Sequence, residues 1–152
     1  MAPIVSTIEI GCPPDEVFGY ATDPSRFPDW QLDVSGVHID GAGAPGVGTR
    51  FVTTRRIGRV EQKTTQQITE MTPPRTWAAR GTDPMFRPNA HITVEPLADG
   101  SRSQVTIALD FAGRGIGRLL PLSVIRRMAA KSAPRSYQRL KEQLESRAQH
   151  PG

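Results

Sequence analysis

The sequence predicts an α+β fold, with an antiparallel sheet of about seven strands, one long C-terminal helix and two short helices after the first strand. Three observations predict it. Short alternating apolar runs recur through most of the chain, separated by Gly, Pro and Asp-Gly turn signals. From about Ile116 to Arg147 the apolar spacing changes to that of a helix. Strands and helices are also segregated along the chain rather than alternating, which argues against parallel βαβ units. The length of 152 residues fits a single domain, residues 1–152.

Each element has its own justification. Ile8 and Ile10 alternate as in a strand, and Pro13-Pro14 ends it. Asp15 and Glu16 then fall in a first helical turn, where carboxylates favour the positive helix end. Thr22 or Asp23 can cap a second short helix with Pro24 at or near its first position, and Trp30 closes this clasp. Val34–Ile39 is a weak strand that runs into a glycine-rich turn. Thr49–Ile57 and Val60–Thr69 are strands around Gly58-Arg59, a hairpin signal. Pro73-Pro74 turns the chain into Thr76–Gly81. Ala90–Glu95 and Ser103–Phe111 flank Ala98-Asp99-Gly100-Ser101, whose Asp-Gly is the strongest hairpin signal present. Gly113, Gly115 and Gly117 break the sheet pattern. The long helix follows, with interruptions expected at Pro121 and Pro134.

Composition excludes several classes. There is no 18-residue apolar run, so no transmembrane helix is expected. The N-terminus lacks the basic-then-apolar pattern of a signal peptide, and a cytoplasmic location is expected. Cys12 is the only cysteine, which rules out an internal disulfide or a thiolate metal cluster. His38, His91 and His150 have no metal-ligand spacing, and no metal or cofactor is expected. Gly113-Arg-Gly-Ile-Gly-Arg118 lacks the Gly-Lys-Ser/Thr ending of a phosphate loop and reads as a strand-to-helix link. Charge is uneven. Residues 1–113 carry 10 Lys and Arg against 13 Asp and Glu, whereas residues 114–152 carry 9 against 2.

Two local patterns point to function. The strand from Val60 to Thr69 is polar on both parities, with Gln62, Thr64 and Gln66 on one face and Lys63, Thr65 and Gln67 on the other. A sheet packed dry on a helix shows one apolar face, and unpartnered buried hydroxyls and amides are costly. Such strands either curl away from the core or line a partly wet cavity. The helix supplies the second pattern. Ile125, Ala129, Ala133, Ser136, Leu140 and Leu144 share one face, and its middle is small. Small side chains leave room between helix and sheet. The opposite side carries Arg127, Lys131, Arg135 and Arg139 at four-residue steps, either a solvated stripe or a docking face for an acidic partner or anionic membrane surface.

These motifs together resemble the START-like, or SRPBCC, superfamily and its polyketide cyclase/dehydrase-like branch. The resemblance rests on Ile8-Glu-Ile with Pro13-Pro14-Asp-Glu-Val-Phe, on Asp23-Pro with Phe27-Pro-Asp-Trp30, and on Gly46-Val-Gly-Thr. It extends through Ile68-Thr-Glu-Met-Thr-Pro-Pro-Arg-Thr-Trp77 and Val94-Glu-Pro-Leu-Ala-Asp-Gly-Ser101, covering Val5 to Glu145. It implies a helix-grip fold, a curved sheet wrapped around the C-terminal helix with a pocket between them. Cys12 stands where the family usually has a small Ala, and Pro134 is expected to kink the helix. The resemblance does not assign chemistry, because one container serves many functions.

The candidate residues follow from both lines. His91 and Tyr137 are the candidates for acid/base catalysis, although His91 has the opposite parity to Ile92 and Val94 and is expected to face solvent. Arg55 and Arg56 differ in parity, so one of them should face the pocket and suit a carboxylate or phenolate. The expected ligand-binding residues are Trp30, Phe51, Arg55, Thr64, Gln66, Trp77, Phe86, Met128, Ala129, Ala133, Ser136 and Tyr137. The leading expectation is a binder of a small hydrophobic or amphipathic ligand of lipid, polyketide or aromatic type, in a cavity of roughly 300–1,000 Å³. A cyclase/dehydratase-type enzyme and a protein-interaction module using the basic helix face are the alternatives.

Overall fold

The computed structural model describes residues 3–116 and 120–149. Gly117 and His150 lie outside them. The order is β1 (Ile4–Ile10), α1 (Pro14–Ala21), a 3-10 turn (Pro24–Arg26), α2 (Phe27–Trp30), β2 (Val34–Ile39), β3 (Arg50–Ile57), β4 (Val60–Thr72), β5 (Thr76–Gly81), β6 (Phe86–Leu97), β7 (Arg102–Gly113), β8 (Gly115–Ile116), β9 (Leu120–Pro121) and α3 (Leu122–Gln149). Seven strands form one sheet in the order β1-β7-β6-β5-β4-β3-β2, and every neighbouring pair is antiparallel. The small β8–β9 ribbon has no counterpart in the sequence expectation.

Local chemistry explains the first third. Pro14 opens α1 with Asp15 and Glu16 in its first turn. The Thr22 hydroxyl closes the helix by donating to the Phe18 carbonyl at 2.7 Å. Asp23 then caps the 3-10 turn by accepting the Ser25 N–H at 3.0 Å. At the β3–β4 hairpin Gly58 has φ +63°, so Gly58 and Arg59 join the pair Ile57 and Val60 directly. Gly81 serves a different need. A Cβ there would stand 2.8 Å from Arg87 Cα, so glycine lets the end of β5 approach the start of β6.

Two expectations about α3 need correction. The helix begins at Leu122, after Pro121, rather than near Ile116, because β8 and β9 pair first. It also continues through Pro134 without interruption. Pro134 and Ala130 are both exposed, so the carbonyl deprived of its donor lies on the water side, where its loss is cheapest.

The core divides into two clusters. The larger one gathers Ile10, Val17, Phe27, Trp30, Phe51, Trp77, Val94, Val105, Leu140 and Leu144 beneath the C-terminal half of α3 and the clasp. The smaller one joins Ile57, Phe86, Leu120 and Ile125 beneath its N-terminal end. Burial of each large aliphatic side chain contributes about 1.5–3 kcal/mol.

The far end of α3 is also pinned to β1 by polar contacts. Glu145 accepts the Gly11 N–H at 2.8 Å and pairs with Lys141 at 3.0 Å, while Lys141 Nζ donates to the Glu9 carbonyl at 2.7 Å. Burial alone would raise the Glu145 carboxyl, but the Gly11 hydrogen bond, Lys141 and Arg102 outweigh it and hold it below 4.5. A depressed carboxyl stabilises the fold above its unfolded value and ceases to do so as pH falls through the folded one. Denaturant titrations should therefore show Glu145→Gln less stable than wild type near pH 7, with the gap shrinking below about 4.5. A pH-independent gap would contradict this origin.

Candidate functional site

Between the two clusters, α3 presents Ala129, Ala133 and Ser136, and the sheet opposite them curves away. The space left is a cavity of about 190 Å³. This is smaller than expected from sequence, because the rings of Phe27, Trp30, Trp77 and Tyr137 fill one end of it. Its walls are mostly apolar, with Ile92, Ile107, Leu109 and Phe111 from β6 and β7 and Ile125 from α3.

Of the residues singled out in the sequence, Trp30, Arg55, Gln66, Trp77, Phe86, Met128, Ala129, Ala133, Ser136 and Tyr137 border this cavity. Phe51 and Thr64 do not. Both point inward, but Phe51 lies under Phe27 and Trp77, at centroid distances of 5.9 and 6.4 Å. Thr64 stands opposite Thr53 across β3 and β4, and both are fully sealed. Strand alternation gives the face of a side chain but not its depth. His91 is on the outer face of the sheet, with Nε2 3.4 Å from Glu70 Oε2 and Nδ1 3.4 Å from Thr93 Oγ1. Proton transfer inside the cavity is therefore closed to it.

The polar rim lies where the α2–β2 connection meets β3. Arg55 Nη1 donates to both carboxylate oxygens of Asp33 at 3.1 Å, and Nη2 donates to Gln31 Oε1 at 2.7 Å. Arg56, of opposite parity, is exposed but borders the cavity too, so both arginines reach it rather than one. Asp33, Gln31, Asn89 and Ser132 were not anticipated as lining residues. No sequence pattern marks Asp33; the register of the fold, with Val34 opposite Arg55, brings it beside that residue.

The rim is tied to the helix by the Leu32 N–H donating to Ser136 Oγ at 3.2 Å and by Arg139 Nε donating to the Asp29 carbonyl at 2.7 Å. Arg127, Lys131 and Arg135 are exposed on the outer side of α3, as is Arg139.

The model of the polyketide cyclase/dehydrase and lipid transport family matches residues 1–145. The chain belongs to this family. Its structure is similar to a START superfamily protein from Mycobacterium smegmatis, with TM-score 0.78 and 12% identity over 96% of this chain and 99% of that one. It is also similar to the Zhui aromatase/cyclase from a Streptomyces species, with TM-score 0.77 and 19% identity over 99% and 97%. A third relative, the di-domain aromatase/cyclase BexL, has TM-score 0.72 and 17% identity, and the chain spans 48% of its length. These likenesses establish the helix-grip fold. No curated protein matches the sequence significantly. No described helix is long and apolar enough to cross a membrane.

The chemistry open to this family member is set by which polar groups remain free. Gln66 and Tyr137 are 4% and 6% exposed, border the cavity, and have no hydrogen-bond partner among the described residues. Burial pushes the Tyr137 phenol well above its ordinary value; the Arg55 guanidinium opposes this and Asp33 adds to it. Tyr137 is thus a neutral hydroxyl at physiological pH, a donor rather than a base. The Trp30 and Trp77 indole N–H groups and the Thr53 and Thr64 hydroxyls are sealed away and have no protein partner among the described residues. A sealed, unpaired hydroxyl costs about 1–3 kcal/mol. Thr64→Val should therefore raise unfolding stability by about 1 kcal/mol in denaturant titrations; a loss of similar size would show that the hydroxyl is satisfied.

Proposed function

We propose that this protein binds a compact amphipathic molecule of aromatic or short polyketide type in the cavity between the sheet and α3. The observation that carries the reading is a mostly apolar cavity into which two buried and unpartnered polar groups, Gln66 and Tyr137, open. Volume bounds the ligand. An apolar cavity of about 150 Å³ accepts benzene, so about 190 Å³ suits one or two fused rings. A long lipid chain would need the aromatic end of the cavity to move. The ring carbons would lie against Ile92, Ile107 and Leu109, with an oxygen toward the Tyr137 side.

A cyclase/dehydratase-type reaction is the second reading, favoured by the protonated Tyr137 hydroxyl bordering the same cavity as the Arg55 guanidinium. A phenol there can donate to a carbonyl oxygen as negative charge develops on it. The reaction also needs a base, and the carboxylate among the described lining residues, Asp33, is held by Arg55. Binding without turnover is the better-supported reading. The basic stripe of Arg127, Lys131, Arg135 and Arg139 has no comparable enclosed site, and its docking role rests on charge alone.

Native mass spectrometry of protein purified from its own host should reveal a retained small molecule. Ala129→Leu and Ala133→Leu, which fill the cavity from the helix side, should lower that occupancy at least tenfold while the fold is kept. Equal occupancy in both folded variants would place the ligand elsewhere.

A further inference from the structure

We propose that Asp33 sets the charge selectivity of this cavity: by occupying Arg55 internally, it makes the site one for neutral hydroxy- or keto-aromatic ligands and not for carboxylates. The inference rests on the binding reading above and specifies its ligand class.

A guanidinium bordering an apolar cavity would ordinarily be an anion receptor. Here that role is filled from within the chain. Both Asp33 oxygens accept from Nη1 at 3.1 Å and Gln31 Oε1 accepts from Nη2 at 2.7 Å. The pair is held in place by the backbone, because the Arg56 N–H donates to the Asp33 carbonyl at 2.8 Å and Val34 stands opposite Arg55 in the β2–β3 register. Side-chain exposures of 22% for Arg55 and 31% for Asp33 keep the pair only partly screened by water.

A ligand carboxylate entering beside this pair would lose its hydration, meet the Asp33 charge, and find Nη1 and Nη2 already donating to Asp33 and Gln31. Arg56 also borders the cavity, but it is exposed, so solvent screens its charge more than it screens the half-buried Arg55 and Asp33. A neutral phenol or ketone has no such penalty. It finds two groups that can satisfy it, the Tyr137 hydroxyl and the Gln66 amide, one a hydroxyl kept protonated by burial and the other both donor and acceptor.

Selectivity therefore resides in a residue outside the apolar walls. Asp33→Asn removes the internal carboxylate, keeps the shape, and leaves Arg55 available to an external anion.

Calorimetric titrations at neutral pH with 2-naphthol and 2-naphthoate, on wild type and D33N, test this. Wild type is expected to favour 2-naphthol at least about tenfold, and D33N to shift the ratio toward 2-naphthoate by at least about tenfold, the effect of one charge-assisted hydrogen bond. Tyr137→Phe should weaken 2-naphthol binding by roughly tenfold. Wild type that takes both equally or favours 2-naphthoate overturns the inference, and so does folded D33N with an unchanged ratio. The wild-type ratio decides alone if D33N does not fold. Failure of both compounds to bind wild type would overturn the binding reading itself.

Discussion

A helix that meets a sheet through large side chains at both ends and small ones between cannot close on it in the middle, and the interior of this protein follows from that constraint. Leu140 and Leu144 seat α3 in the larger cluster, and Ile125 seats it in the smaller one. Ala129, Ala133 and Ser136 span the interval. Each cluster contributes hydrophobic stabilisation of its own, so the gap between them survives without collapse. Replacing the small residues by Leu would be compatible with a helix on a sheet; it would simply remove the cavity.

The polar groups around the gap fall into three kinds with different consequences. Arg55, Asp33 and Gln31 satisfy one another at the rim and fix its shape and charge. Gln66 and Tyr137 are buried yet open to the cavity, which is the arrangement that recognises a ligand. Thr53, Thr64, Trp30 and Trp77 carry sealed polar atoms with no protein partner among the described residues, and these cost stability. Trp30 and Trp77 also belong, with Phe27 and Tyr137, to the rings that fill one end of the cavity. Membership of the polyketide cyclase/dehydrase and lipid transport family agrees with such a container. Chemistry within it depends on individual residues.

Much of the fold is legible in the sequence because its signals are local. Gly58-Arg59 and Asp99-Gly100 mark hairpins by backbone preference alone, and the face of α3 follows from helical spacing. Parity also puts His91 outside, but it does not separate Arg55 from Arg56, since both border the cavity. Depth is another matter. Phe51 and Thr64 have the right parity but do not border the cavity: the Phe27 ring from α2 and the Trp77 ring from β5 lie against Phe51, and Thr64 is buried opposite Thr53. Asp33 shows no pattern of its own, since its role depends on a cross-strand register between β2 and β3. Pro134 misleads for a related reason: its cost depends on whether the orphaned carbonyl faces water, and spacing alone does not weigh that.

The central claim is that accessible space separates the two clusters beneath Ala129 and Ala133. Diffraction from crystals pressurised with xenon tests it most directly, because xenon enters apolar cavities of this size. A xenon peak bounded by Ile107, Leu109, Ala129 and Ala133 is the expected result. Well-diffracting derivatised crystals with side chains in van der Waals contact across that interval, and no xenon there, would contradict the account.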